Sequence, residues 1–125
     1  MSTRSDEALV RRAIEAIWNR CELDVADELF APGYVNHYGL IPDLVHGPEA
    51  IKMSVALYRL AFPDLHITVD ELSTKGETVV LHWTAQRQSF DGRGGGTLTP
   101  DQILLTGITR SRLAGGQIME SWTEW

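Results

Sequence analysis

The stretch that decides the fold is a long alternating strand, Thr78-Val79-Val80-Leu81-His82-Trp83-Thr84-Ala85-Gln86-Arg87-Gln88-Ser89-Phe90. Successive side chains of a strand point to opposite faces of a sheet, so odd-numbered and even-numbered residues separate. The odd face is apolar and includes Trp83, whereas the even face begins with Val80 and becomes polar at His82 and Thr84. This pattern favours a curved sheet that is covered on both sides, with its concave side lining a cavity.

Helical patterns dominate the first half of the chain, and alternating strand patterns dominate the second half. Apolar residues at helical spacing predict helices over 6–20, 25–30 and from Pro48 to about residue 61, the last with proline at its first position. Period-two alternation predicts a short strand at 34–38 and longer strands at 65–73, 78–90, 102–113 and 118–125. Helices followed by antiparallel strands predict an α+β fold with the helices on one face of the sheet.

Length and composition limit the classes of function. A chain of 125 residues predicts one domain over 1–125, with room for a core and one small-molecule cavity. The net charge of −6 and the lack of a Lys/Arg run argue against binding to nucleic acid. The polar N-terminus and the absence of a long apolar run predict a cytoplasmic protein with no membrane partner.

The final strand, Ile118–Trp125, carries the first candidate site. Glu120, Trp122 and Glu124 share one face, and a carboxyl group beside an aromatic ring is typical of a general acid or base in an apolar pocket. Loss of hydration there raises the carboxyl pKa towards neutrality. The alternative is that Trp122 belongs to the ordinary core and Glu124 lies at a frayed edge.

Two other strands add polar groups to the candidate site. Tyr34, Asn36 and Tyr38 share a face of the short strand, where they can orient a water molecule or a substrate oxygen. Capping of a sheet edge is the alternative role for these residues. The sequence therefore predicts catalytic roles for Glu124, His82, Asn36 and Tyr34, and substrate-binding roles for Trp122, His37, Tyr38, Thr84 and Glu120.

Metal and cofactor sites are not predicted. The histidines at 37, 46, 66 and 82 are not at the spacing of metal ligands, and the glycines at 92–96 lie between two strands rather than before a helix. The predicted partners are a small apolar organic ligand and, because both faces of the sheet carry large apolar groups, a second copy of the chain. We expect a homodimer that forms through the convex sheet face.

Several short motifs resemble one family. These are Tyr34-Val35-Asn36-His37, His46-Gly47-Pro48-Glu49-Ala50-Ile51, Ala61-Phe62-Pro63-Asp64-Leu65 and Gly116-Gln117-Ile118-Met119-Glu120-Ser121-Trp122. They resemble the SnoaL-like polyketide cyclases, which belong to the nuclear transport factor 2-like superfamily. The resemblance implies a cone-shaped α+β barrel, with three N-terminal helices packed on a strongly curved, mostly antiparallel sheet.

The resemblance also implies a range of activities. Tyr34-x-Asn36 and Trp122-x-Glu124 are similar to the water-holding groups of limonene-epoxide hydrolase, but His82-x-Thr84 stands where that enzyme has an Arg-x-Asp pair. The main hypothesis is an acid/base enzyme, without a metal or organic cofactor, that cyclises or isomerises a largely apolar carbonyl compound. One alternative is a non-catalytic protein that binds a hydrophobic ligand, and a second is an epoxide hydrolase-like enzyme that activates water.

Overall fold

The N-terminal helix changes character halfway along its length. A computed structural model describes residues 3–37, 45–87 and 103–124 of the chain. Helix α1, Thr3–Arg12, continues as a π-helix over Ala13–Asn19, where the sequence predicts one uninterrupted α-helix. The last residues of the π-helix form hydrogen bonds with a side chain that is distant in sequence. The Arg59 guanidinium donates to the carbonyl oxygens of Trp18 at 2.6 Å and Asn19 at 2.8 Å. These contacts satisfy carbonyl groups that a helix end leaves unpaired.

Strand β1, Phe30–His37, begins four residues before the predicted start at Tyr34. It follows directly on the short helix α2, Val25–Leu29. Pro32 and Gly33 belong to this strand, and the missing N–H of the proline is tolerated because β1 is an edge strand. The pairing of β1 with its neighbour shifts in register between Phe30 and Val35, around these two residues.

Helix α3, Pro48–Ala61, is fixed against β1 at its first turn. Gly47 caps the helix with a φ of +81°, and its N–H donates to the Tyr34 carbonyl at 2.8 Å. A Cβ at this position would lie 2.6 Å from the Pro32 carbonyl oxygen, so only glycine fits. This contact places α3 beside the residues of β1 that were predicted to form the site.

The four remaining strands complete one curved sheet. They are β2 (Leu65–Lys75), β3 (Thr78–Arg87), β4 (Ile103–Ala114) and β5 (Gln117–Glu124). The order across the sheet is β1-β5-β4-β3-β2, in which β1 runs parallel to β5 and all other neighbours are antiparallel. Irregularities of register interrupt every pair of strands, and such bulges bend and twist a sheet. The predicted α+β class with a curved, mostly antiparallel sheet is confirmed.

The core lies between the concave face of this sheet and the helices. Its buried apolar residues include Ile17 of the π-helix, Val55 of α3 and Val79 of β3. Among the described residues, no helix combines the length and hydropathy that a bilayer crossing requires.

Candidate functional site

A cavity of about 370 Å³ opens into the concave side of the sheet. Most of its lining is apolar. The helices contribute Val10, Ala13, Ile14, Trp18, Ile51 and Tyr58, and Phe62 follows directly after α3. The strands contribute aromatic and aliphatic groups as well, among them Phe30, Leu65, Ile67, Leu81, Trp83, Ala85, Leu104, Leu105 and Ile118. The volume is within the range that holds a small organic molecule.

One polar row crosses the cavity wall from β1 to β4. Asn36 of β1 is in register with Ser121 of β5, and Ser121 is in register with Ser111 of β4. The two serine hydroxyls are buried and hydrogen-bonded to each other at 2.8 Å. The Oδ1 atom of Asn36 is also buried, but it has no hydrogen-bond partner among the described residues. The row therefore contains two serines that are hydrogen-bonded to each other, and an amide oxygen that has no hydrogen-bond partner among the described residues.

A second polar row lies two residues further along β5. The Trp83 indole N–H donates to Thr109 Oγ1 at 2.9 Å, and this atom is 3.1 Å from Thr123 Oγ1. Gly107 is in register with Trp83, and a Cβ on it would lie 2.3 Å from the indole ring. The glycine thus lets the indole lie across the sheet, where its N–H reaches the threonine row.

Tyr34 stands beside the first row and is almost fully buried, with 2% of its surface exposed. Its ring meets Phe30 edge-on, with the ring centroids 4.7 Å apart. Burial raises the pKa of Tyr34 to about 12, and a hydrogen bond with Ser121 opposes this only in part. At neutral pH the side chain is therefore an uncharged phenol.

The predicted inward orientation of Glu120 and Trp122 is wrong. Both side chains lie on the outer face of the sheet, since the alternate residues Ser121 and Thr123 line the cavity. There His37 Nε2 is 2.6 Å from Glu120 Oε2, and the His37 ring stacks on Trp122 with centroids 5.4 Å apart. The hydrogen bond from His37 lowers the pKa of Glu120, with a smaller effect from Arg112 at 3.4 Å. These residues form a polar cluster on the opposite face of the sheet from the cavity lining.

The predicted inward orientation of Glu124 is wrong for the same reason. Its side chain is 69% exposed and lies 3.5 Å from the Arg110 guanidinium. Glu124 and His82 border the same groove, but this groove lies on the outer face, and Ile108 separates them in the cross-strand row. Thr84 is in register with Thr68 and donates to Asp70 Oδ2 at 2.5 Å, so it too is engaged outside the cavity.

Two of the nine predicted site residues therefore line the cavity, Tyr34 and Asn36. Tyr38 lies outside the described residues. Within the described part of the lining, no residue carries a carboxyl, imidazole, thiol or amino group. The same described ranges contain no group of three or more His, Cys, Asp or Glu residues that could hold a metal ion.

Sequence reasoning missed the small hydroxyl residues of the cavity wall, Thr109, Ser111, Ser121 and Thr123. Their signal was present, because each alternates with a long charged or aromatic side chain in β4 or β5. The concave side of a strongly curved sheet has less room than the convex side, so it favours the small members of such an alternation. Arg110 and Arg112 then face Trp122 and Glu120 on the roomier outer side.

Similar folds occur among solved structures. A candidate polyketide cyclase from Acidithiobacillus ferrooxidans is 21% identical, with a TM-score of 0.77 over 99% of this chain and 90% of that one. IdmH of Streptomyces antibioticus is 24% identical (TM-score 0.74, 95% and 90% covered), and a SnoaL-like protein of Jannaschia sp. CCS1 is 25% identical (TM-score 0.71, 99% and 88% covered).

Sequence comparison gives a more specific result than these folds. No curated protein sequence matches the chain. The family model of the SnoaL-like polyketide cyclases matches residues 8–125, which is nearly the whole sequence. The chain therefore belongs to the SnoaL-like polyketide cyclase family.

Proposed function

We propose that this chain binds a largely apolar small molecule in the internal cavity and holds one of its oxygen atoms against the polar rows. The observation that carries the proposal is the composition of the lining, in which hydroxyl and amide groups are confined largely to one wall of an otherwise apolar space. Sites for small organic molecules combine a large apolar surface with a few placed polar groups in this way.

A neutral fluorescent probe, N-phenyl-1-naphthylamine, tests this proposal directly. We expect saturable binding with one probe per chain and enhanced emission from a dry environment. Ala85→Phe puts a ring into the cavity, since Ala85 lines it, and should weaken binding at least about tenfold. Glu124→Gln is the matched control on the outer face and should leave the affinity unchanged. Absence of saturable binding, or equal binding by Ala85→Phe, would contradict the proposal.

A second candidate function is carbonyl chemistry of the cyclase or isomerase type. It is favoured by Tyr34, a buried phenol in the cavity lining that is hydrogen-bonded to Ser121 of the serine row. A neutral donor in a dry site can stabilise the negative charge that develops on a substrate oxygen during enolisation. In this form of the mechanism the described wall donates hydrogen bonds to the developing enolate oxygen, and the C–H proton passes to a hydroxide ion or buffer base from solvent rather than to Glu124. Epoxide hydrolysis gains less support, because Trp122 and Glu124 of the proposed water-holding unit point away from the cavity.

Deuterium exchange at the acidic C–H positions of 2-tetralone, followed by NMR, tests this candidate. If the chain promotes enolisation, Tyr34→Phe should slow the protein-dependent exchange by about 10²-fold. Glu124→Gln should leave the exchange rate unchanged. A slow Glu124→Gln variant together with a fully active Tyr34→Phe variant would instead restore Glu124 as the base.

A further inference from the structure

We propose that Asn36 makes the cavity selective for ligands that carry a hydroxyl group, such as a phenol, an enol or an alcohol. The inference rests on the proposed function, because it assumes that the cavity is the ligand site. It adds the chemical group that the ligand must present at one position of the wall.

The first step is the state of the Asn36 side chain. Its Oδ1 atom is buried and lacks a hydrogen-bond partner among the described residues, although the side chain lines the cavity. A carboxamide oxygen accepts hydrogen bonds and cannot donate them. Because a buried acceptor without a donor is unfavourable, the site is completed by a ligand that brings an O–H or N–H group to this atom.

The second step is that the neighbouring hydroxyl and indole groups form hydrogen bonds with one another rather than with Asn36 Oδ1. Ser121, the register partner of Asn36, shares its hydrogen bonds with Ser111 and Tyr34. The Trp83 indole N–H is committed to Thr109. None of these groups makes a hydrogen bond with Asn36 Oδ1 among the described residues, so a ligand can supply the donor.

The third step concerns the second polar row, Thr109 and Thr123. This row offers a hydrogen-bond donor, whereas Asn36 Oδ1 offers an acceptor. Trp83 can only donate, so Thr109 Oγ1 must accept its N–H. The contact between Thr109 and Thr123 uses only one of their two hydroxyl hydrogens. Among the described residues the other hydrogen has no acceptor, which suits a carbonyl or ether oxygen on the same ligand. Asn36 is thus the position of the wall that discriminates a hydroxyl group from an alkylated oxygen.

A matched pair of probes tests this selectivity, 2-naphthol and 2-methoxynaphthalene. They share one ring system and differ in whether the oxygen can donate. Wild-type protein should bind the naphthol about 3- to 10-fold more tightly, which corresponds to one net hydrogen bond. Asn36→Leu, of similar size, should abolish this preference without weakening the binding of the ether. Glu124→Gln is the control, because Glu124 is exposed on the outer face of the sheet, and it should keep the wild-type preference for the naphthol.

The outcomes distinguish the role of Asn36 from the more general proposal that the cavity binds a ligand. Equal affinities of wild-type protein for the two probes would overturn the role of Asn36 and leave the binding function intact. Retention of the preference in Asn36→Leu would overturn it as well. If neither naphthalene binds, the proposed function fails and the inference falls with it. The wild-type comparison decides the matter even if Asn36→Leu does not fold.

Discussion

At the scale of single residues, Tyr34 is the cavity residue whose ionisation is most strongly coupled to folding. Burial raises its pKa to about 12, whereas an unfolded tyrosine ionises near 10. A raised folded-state pKa contributes stability that is complete below pH 10 and is lost as the pH rises towards 12. The phenol is therefore held as a neutral donor at the expense of stability in strong alkali.

Tyr34→Phe should flatten this alkaline loss of stability. For the wild-type protein, the titration of Tyr34 should lower the free energy of unfolding by about 1 kcal/mol between pH 10 and pH 11. The phenylalanine variant lacks this contribution. Urea denaturation of both proteins at pH 8, 10 and 11 measures the difference, and parallel curves for the two proteins would show that Tyr34 is not buried as a phenol.

Glu120, on the outer face of the sheet, couples the stability of the protein to pH in the acidic range. The hydrogen bond from His37 lowers its pKa, so its contribution to stability is present above the pKa of the unfolded chain. This contribution is lost as the pH falls through the lower folded-state value. Between pH 5 and pH 3 the wild-type protein should therefore lose more stability than Glu120→Gln. Thermal unfolding at several pH values measures this, and His37→Ala should resemble Glu120→Gln because it removes the donor.

The site residues show how far single side chains could be predicted. The grouping of Glu120, Trp122 and Glu124 on one face was right, but the choice of the inward face was wrong. Hydrophobicity suggested that Trp122 points inward, whereas the structure buries small hydroxyls there and leaves the tryptophan stacked on His37. Tyr34 and Asn36 were placed on a common face by alternation alone, and both line the cavity.

At the scale of secondary-structure elements, the β3–β4 pair depends on one glycine. A Cβ on Gly107 would lie 2.3 Å and 2.7 Å from Trp83 ring atoms and 2.8 Å from the Glu124 carbonyl oxygen. Gly107→Ala should therefore displace the indole from Thr109 and destabilise the protein by about 1–3 kcal/mol. Gly33→Ala is the matched control in β1, because nothing lies within 4 Å of its Cβ position and its effect should be small.

Urea unfolding followed by tryptophan fluorescence measures both glycine variants. A red shift of the native emission in Gly107→Ala would accompany the displaced indole. Equal stabilities of Gly107→Ala and Gly33→Ala would contradict the close packing of Trp83 on β4.

The π-helix is tied to the sheet edge by another single side chain. Asn19 donates to the Ile67 carbonyl at 2.9 Å and accepts from the Ile67 N–H at 2.7 Å, as a neighbouring strand would. Asn19→Ala leaves both backbone groups of β2 without this partner and should cost about 1–3 kcal/mol of unfolding free energy. Arg20→Ala removes only the exposed pair with Glu22 and should change it little. Chemical denaturation of the two variants provides the comparison.

The elements themselves were predicted better than their ends. Period-two alternation located the four long strands, because a strand that faces both a core and solvent must alternate. The π-helix and the early start of β1 could not be predicted, since both depend on distant partners, Arg59 in one case and the pairing with β5 in the other. The turn at Gly115–Gly116 could have identified the outer face from the sequence. It sets Arg112 opposite Glu120, and such a pair of opposite charges is expected on a solvent-facing side of the sheet.

At the scale of the whole molecule, the order of helices and strands was sufficient for the fold class, but not for the presence of a cavity. The cavity depends on the curvature of the sheet and on the small side chains of its concave wall. Neither property follows from local propensity. The family resemblance carried the cone-shaped fold, and the match over residues 8–125 agrees with it.

The outer face of the sheet has the features of a surface that a second copy could cover. Several of its charges are paired within the face, since Glu120 contacts His37 and Arg112 and Glu124 contacts Arg110. Charges that are already paired and hydrogen-bonded are less costly to bury than isolated ones. Apolar groups such as Ile108 and the Trp122 ring lie between them. The predicted homodimer through the convex face therefore stays a prediction with a physical basis.

Sedimentation velocity at micromolar concentrations measures this assembly. The wild-type chain should sediment as a dimer, and Trp122→Lys should sediment as a monomer, because it adds an unpaired charge beside Arg110 and removes the central ring. Leu60→Lys is the control on α3, where the leucine is 81% exposed on another surface, and it should remain dimeric. A stable dimer requires an interface of roughly 1,000 Å² or more, which a continuous sheet face can supply and a single exposed leucine cannot. A monomeric wild-type protein would exclude the dimer, whereas a monomeric Leu60→Lys variant would move the interface to α3.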